Sequence, residues 1–173
     1  ALRWRIEHAQ HLHPIDVPRF AKLGVIASMQ GVHASSDGPW VPKRLGEPRA
    51  GERTYVWRSL IDSGALVSNG TDVPVEDIDP LASFRASVTR EMVNGQRFHP
   101  EQNMTRQEAL ASYTWNNAYA GFEEDLKGSL APGKLADFVV LDRDILRVPD
   151  AELASAQVLH TVLAGRVVYS RKP

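Results

Sequence analysis

The chain opens with ALRWRIEHAQHLHP (residues 1–14), a stretch that predicts a β-strand ending in a group of histidines. Side chains alternate between two faces along residues 2–9, as they do in a half-buried strand. One face carries Leu2, Trp4, Ile6 and His8. His8 therefore stands at the C-terminal end of an apolar row. Because the strand begins almost at the first residue, we expect the sequence to be a piece of a longer protein.

Strands and helices then alternate, which predicts a parallel sheet. The pattern predicts short helices over residues 19–23 and 55–61 and strands over residues 25–29 and 65–70. Another helix begins at Asp79-Pro80, with apolar residues at helical spacing behind it. The run from Thr105 to Glu108 has the form of a capping box and predicts one further helix.

Residues 31–53 are rich in glycine and proline, and we expect a long loop without regular structure. Loops of that length are usually functional lids or binding segments. His33 stands early in it and is a candidate for contact with a substrate. Trp40, Lys43 and Arg44 could bind an aromatic or an anionic group, although ordinary solvated loop residues are the favoured interpretation.

The pattern changes near residue 126, which predicts a boundary between a unit of residues 1–125 and a small β unit of residues 126–173. Pro132-Gly133 suits the centre of a type II turn and leads into a strand over residues 136–141. Two further strands flank Ala164-Gly165 and predict a closing hairpin.

His8 and Asp72 are the main candidates for chemistry. Each follows a predicted parallel strand, at the edge where α/β proteins place their active sites. Imidazole and carboxylate suit divalent metals such as zinc, and the small residues Ser68 and Gly70 before Asp72 leave room for a ligand. The structural alternative is a satisfied histidine at a strand end and an aspartate that begins the turn before Pro74.

Other polar residues and the composition narrow the possible functions. His11 and His13 are expected to be exposed, and Arg85 and Arg90 are expected on a solvated helix face. His99 and His160 receive no role. The net charge of −1 favours neither nucleic acid nor an acidic membrane surface, and with no cysteine the chain has no thiolate metal site. Cytoplasmic localisation is a default expectation.

Several segments together resemble a known family. They are RIEHAQ (5–10), VIASMQGVH (25–33), NGTDVPVEDIDPL (69–81), TRQEALASYTWNNAYA (105–120) and GSLAPGKLADFVVLDRD (128–144). In this order they resemble the C-terminal part of the amidohydrolase superfamily, in the branch called amidohydrolase family 3, or YtcJ-like. The resemblance covers nearly the whole chain.

The resemblance implies an α/β fold, in which this chain is strands six to eight of a (β/α)8 barrel plus part of a small β-sandwich. It also implies a metal-dependent hydrolase that cleaves a C–N bond of a small amide-type substrate with an activated water. His8 would bind a divalent metal, with zinc expected and one or two ions in the complete enzyme. Asp72 would bind metal and move the proton, and the segment with His33 would shape the substrate pocket.

The chain departs from that family pattern in what it lacks. The His-x-His pair of strand one, the lysine that bridges two metals and the histidine of strand five are absent. Two ligands do not hold a catalytic zinc, which normally takes three from the protein. We therefore expect the chain to be inactive without an N-terminal region, or to be a non-catalytic domain that associates with itself. Exposed strand edges and the apolar row from Leu2 to Ile6 predict a covering partner, either that missing region or another copy of the chain.

Overall fold

The computed structural model describes residues 2–172, and its first part is a parallel sheet. The strands are β1 (Arg5–Glu7), β2 (Ile26–Gln30) and β3 (Val67–Gly70), in the order β1-β2-β3. Glu7 pairs with Ser28, and Gln30 pairs with Gly70, so that the three carboxyl ends meet at one edge of the sheet. The predicted parallel sheet is confirmed, although β1 is shorter than the predicted strand.

Helices connect and flank these strands. They are α1 (Val17–Leu23), α2 (Gly31–Asp37), α3 (Val41–Leu45), α4 (Glu47–Arg53), α5 (Trp57–Asp62), α6 (Pro80–Thr89), α7 (Arg106–Tyr113), α8 (Trp115–Ala120) and α9 (Asp150–Leu153). Gly24 ends α1 in the left-handed conformation, with φ 63°. The capping box predicted for α7 is present, because Thr105 and Glu108 each bond the other's backbone N–H.

The prediction of a structureless loop over residues 31–53 was wrong, because α2, α3 and α4 occupy it. Pro42 and Pro48 lie in the first turns of α3 and α4, where a helix needs no backbone N–H donor. Gly46 separates the two helices with a φ of 79°. The glycines and prolines of this segment therefore mark where short helices begin and end.

The prediction of a solvated Arg90 was also wrong. Arg90 follows α6 with a φ of 53°, and its side chain is turned inward and is fully buried. Its guanidinium donates to the carbonyls of Tyr55 (2.8 Å) and Phe98 (2.5 Å) and lies 4.5 Å from the ring centre of Trp57. Burial lowers the pKa of Arg90 to about 9. Arg85 is half-buried and pairs with Glu91 at 2.6 Å.

The second sheet is antiparallel and consists of β4 (Phe138–Leu141), β5 (Val158–Leu163) and β6 (Arg166–Ser170), in the order β4-β5-β6. The predicted hairpin around Ala164-Gly165 is confirmed. Many apolar side chains of this sheet are exposed, including Val139, Val167 and Val168. Within residues 2–172, none of the helices combines the length and the apolar character needed to cross a membrane.

Candidate metal centre

His8 and Asp72 lie just beyond the carboxyl ends of β1 and β3, the two outer strands of the parallel sheet. Both residues have left-handed backbone conformations, with φ 67° and 62°. Non-glycine residues rarely adopt this conformation, and it is found preferentially at functional sites. The left-handed conformation ends β1 before His8 and β3 before Asp72, and the side chains of these two residues lie close together. His8 Nδ1 lies 3.9 Å from Asp72 Oδ2.

His33 joins this pair from the middle strand. It lies in the first turn of α2, which begins directly where β2 ends. Its Nε2 atom is 3.6 Å from Asp72 Oδ2, and its ring stacks against that of His8 with centroids 6.1 Å apart. One ligand atom each from His8, His33 and Asp72 falls within 4.8 Å of the other two. The structure therefore brings together all three of the predicted site residues.

The three side chains differ in exposure. The His33 side chain is 7% exposed, that of Asp72 29% and that of His8 49%. The His33 Nε2 atom is buried and has no hydrogen-bond partner among residues 2–172. Buried polar atoms normally have a partner, and an exception calls for an explanation such as an absent ion. This atom points toward Asp72, where a metal would provide that partner.

Two glutamines hold the histidines in a crossed arrangement. Gln10, which follows His8 in the chain, places its side-chain amide 2.7 Å from His33 Nδ1. Gln30, which precedes His33, accepts from His8 Nδ1 at 3.0 Å. Histidines that bind metals usually have the second ring nitrogen held in this way by an outer hydrogen bond.

A buried tyrosine supports Gln10 from behind. The Tyr55 hydroxyl lies 3.4 Å from Gln10 Nε2 and donates to Asp37 Oδ2 at 2.7 Å. Burial, together with the hydrogen bond to Asp37, holds the pKa of Tyr55 far above its ordinary value. The hydroxyl therefore stays protonated, and its hydrogen bond to Asp37 fixes the position of the Tyr55 ring against which Gln10 lies.

The start of α2 is fixed by its contacts with β3 and α6. The Gly31 N–H donates to Asn69 Oδ1 at 2.8 Å, and the Val32 N–H donates to Ser83 Oγ at 3.1 Å. A Cβ atom at Gly31 would lie 2.6 Å from the Ser83 carbonyl oxygen, so only glycine allows this close approach. These contacts set the position of His33.

Other sequence-based candidates lie elsewhere or are exposed. His11 and His13 are exposed, as predicted, and His11 contacts Thr54 Oγ1 at 3.2 Å. Lys43 and Arg44 are exposed, and Trp40 is 47% exposed.

Sequence reasoning missed Gln10, Gln30 and Tyr55 as parts of the site. Gln10 follows β1 and Gln30 ends β2, at the same edge of the sheet as the histidines. That position is the feature of the sequence from which they could have been identified.

The fold is similar to part of solved metal-dependent hydrolases. An uncharacterized metal-dependent hydrolase from Pyrococcus horikoshii superposes with a TM-score of 0.74 at 31% identity, over 85% of this chain and 30% of that one. An adenosine deaminase from Xanthomonas campestris with bound zinc has a similar fold, with a TM-score of 0.67 at 20% identity, over 96% of this chain and 37% of that one.

The model of amidohydrolase family 3, Amidohydro_3, matches residues 1–169, and the chain belongs to this amidohydrolase family. It is 40% identical over 168 residues to Protein LONG AFTER FAR-RED 3 of Arabidopsis thaliana. It is 32% identical to the putative amidohydrolase YtcJ of Bacillus subtilis and to the N-substituted formamide deformylase of Arthrobacter pascens. Each match covers 96% of this chain but only 29%, 32% and 31% of the respective relative.

The residues of the cluster fit a divalent metal. Two imidazoles and a carboxylate are ligands that zinc accepts in hydrolases. The buried Nε2 atom of His33, which lacks a partner within residues 2–172, is the structural observation that supports the fit.

Proposed function

We propose that this chain is the C-terminal part of a metal-dependent amidohydrolase that cleaves a C–N bond of a small amide-type substrate. The observation that carries the proposal is the group of His8, His33 and Asp72 within 4.8 Å at the carboxyl edge of a parallel sheet. Membership of the amidohydrolase family and the similarity to a formamide deformylase support the reaction class.

The proposal extends to the fold of the complete enzyme. We assign β1, β2 and β3 to strands six, seven and eight of a (β/α)8 barrel formed by residues 1–125 and a missing N-terminal region. Residues 126–173 then contribute three strands to a small β-sandwich. A complete barrel takes about 250 residues, and this chain spans about a third of each relative that it matches.

In this proposal His8 and Asp72 hold the divalent metal, with zinc as the expected ion. A bound divalent ion supplies a Lewis acid that polarises the amide carbonyl and activates water. Asp72 accepts the proton of the attacking water and passes it to the departing amine, so it acts first as base and then as acid. Its carboxylate is partly exposed, which leaves it open to both water and substrate.

The proposed role of His33 depends on its Nε2 atom. The sequence predicts that His33 contacts the substrate, and its Nε2 atom faces the same space as Asp72. This atom can donate a hydrogen bond to substrate or bind the metal through its lone pair, depending on where the ring carries its proton.

Catalysis is proposed for the complete enzyme and not for this chain alone, because the family's remaining ligands lie outside it. A second candidate function is a non-catalytic domain that associates with itself. The exposed apolar row of Leu2, Trp4 and Ile6, which are 74%, 69% and 48% exposed, favours that candidate.

Activity of a full-length parent tests the proposal. Asp72→Asn and His8→Ala should each lower the rate of hydrolysis of N-substituted formamides and related amides by at least about 100-fold, the first through lost acid–base catalysis and the second through loss of a metal ligand. Asp62→Asn is the matched control, since Asp62 is exposed on α5 and should leave the rate unchanged. Retained hydrolysis in the Asp72→Asn variant would rule out the assigned role.

A further inference from the structure

We propose that His33 is a third metal ligand, so that this chain by itself holds a divalent ion between two histidines and an aspartate. The inference rests on the proposed function in one respect, the presence of a metal at His8 and Asp72. It changes one expectation, because two ligands are too few for zinc while three complete the usual protein set.

The separations suit a single ion. Zinc bonds of about 2.0–2.2 Å in a tetrahedral arrangement put neighbouring ligand atoms about 3.3–3.6 Å apart. The His33 Nε2 and Asp72 Oδ2 atoms are 3.6 Å apart, and the whole set spans no more than 4.8 Å. His8 Nδ1 lies 3.9 Å from Asp72 Oδ2, and the His8 side chain is 49% exposed.

The hydrogen bonds of His8 and His33 determine which ring nitrogen of each carries the proton and which can bind a metal. Because the Gln30 oxygen can only accept, the contact with Gln30 places the ring proton of His8 on Nδ1 and leaves its Nε2 free to bind. Gln10 faces His33 Nδ1 at 2.7 Å with its NH2 group. A 180° rotation of the Gln10 amide presents its oxygen instead, which moves the ring proton of His33 to Nδ1 and frees Nε2 for the metal.

Burial favours the metal over the substrate as the partner of His33. A substrate that enters from solvent meets His8, whose side chain is 49% exposed, before it meets His33, which is 7% exposed. The Nε2 atom of His33 is enclosed and faces the carboxylate of Asp72. A small cation between the two groups satisfies both, because it partners the buried nitrogen and offsets the negative charge.

The test is a titration of this chain with Co²⁺ and with Zn²⁺, followed by calorimetry and, for Co²⁺, by its visible spectrum. The absence of cysteine from the sequence means that no thiolate can bind the metal. We expect one ion per chain. His33→Gln should weaken binding by at least about 100-fold, and Gln10→Met, which removes the outer partner, by about 10–100-fold.

His13→Gln is the matched control, since His13 is exposed and lies outside the cluster. Circular dichroism of each variant checks that it folds. If His33→Gln does not fold, the ¹⁵N resonances of the His33 ring in the unchanged chain decide the question. They should shift to the tautomer protonated at Nδ1 when Zn²⁺ is added.

Three results would overturn the inference: no metal bound by the chain, equal binding by His33→Gln, or His33 resonances unmoved by Zn²⁺. None of them contradicts the proposed function, because a full-length enzyme can hold its metal with His8, Asp72 and ligands from the N-terminal region. Conversely, a chain that binds one ion through His33 while the full-length parent hydrolyses no amide would contradict the proposed function alone.

Discussion

His33 Nε2 lies 3.6 Å from Asp72 Oδ2, although these residues belong to different strand–helix units. The contact exists because β2 and β3 are parallel neighbours, with Gln30 paired to Gly70 at their carboxyl ends. Gln30 leads directly into α2, and Asp72 follows Gly70 after a single residue. The sheet register therefore positions the two side chains, and His8 joins them from β1.

Arg90 should be a main determinant of stability. In Arg90→Met the carbonyls of Tyr55 and Phe98 lose their buried donor, and we expect the free energy of unfolding to fall by about 2–4 kcal/mol. Urea unfolding followed by circular dichroism measures this change. Arg97→Met is the control, because Arg97 is 51% exposed, and it should stay within about 0.5 kcal/mol of the unchanged chain. Equal effects of the two substitutions would contradict the buried role of Arg90.

Gly31→Ala should destabilise the junction of β2 and α2. The new Cβ would lie 2.1 Å from Ser87 Oγ and 2.6 Å from the Ser83 carbonyl, and relief of that overlap costs about 1–3 kcal/mol. Thermal unfolding checks the prediction. Gly70→Ala serves as the comparison, since a Cβ there meets nothing within 4 Å. A variant at Gly31 as stable as the variant at Gly70 would show that α2 does not approach α6 this closely.

Tyr113 should contribute a loss of stability in alkaline solution. Burial raises the pKa of Tyr113 to about 12, against about 10 in an unfolded chain. A raised pKa means that the folded state keeps the proton longer, so this contribution is complete below about pH 10 and is lost as the pH rises toward about 12.

Urea unfolding at a series of alkaline pH values measures this loss. Tyr113→Phe should flatten the dependence on pH, while Tyr169→Phe, at an exposed position, should leave it unchanged. An unaltered slope in Tyr113→Phe would contradict the assignment.

The chain should associate with itself when no other region covers its apolar surfaces. Ile6 lies on β1, an edge strand of the parallel sheet, and the exposed side chains of Leu2 and Trp4 lie in the segment before it. Native mass spectrometry and sedimentation should show oligomers, and Trp4→Lys should shift the population toward monomer. Leu23→Lys, at an exposed position on α1, is the control. A monodisperse monomer of the unchanged chain would contradict this prediction.

Local patterns in the sequence predicted much of the fold. The capping box at Thr105 and the hairpin at Ala164-Gly165 depend on neighbouring residues and were both confirmed. Residues 31–53 were predicted wrongly because glycine and proline there separate short helices instead of excluding them. The inward turn of Arg90 depends on its left-handed backbone after α6, which its sequence neighbours do not indicate.

In the candidate site, too, some features could be predicted from the local sequence and others could not. His8 and Asp72 could be identified as residues at strand ends, since that position follows from the alternation of strands and helices. The crossed contacts of Gln10 with His33 and of Gln30 with His8 depend on the register between β1 and β2. β1 and β2 are parallel strands joined through α1, so no short turn in the sequence fixes the register between them.

The first measurement is hydrolysis of the proposed substrates, N-substituted formamides and related amides, by the full-length parent before and after chelation. Activity should disappear when the metal is removed and return when Zn²⁺ is restored, whereas Zn²⁺ should restore nothing to Asp72→Asn. Hydrolysis that survives complete removal of metal, or that persists in Asp72→Asn, would contradict the assignment of His8 and Asp72 to a metal-dependent amidohydrolase centre.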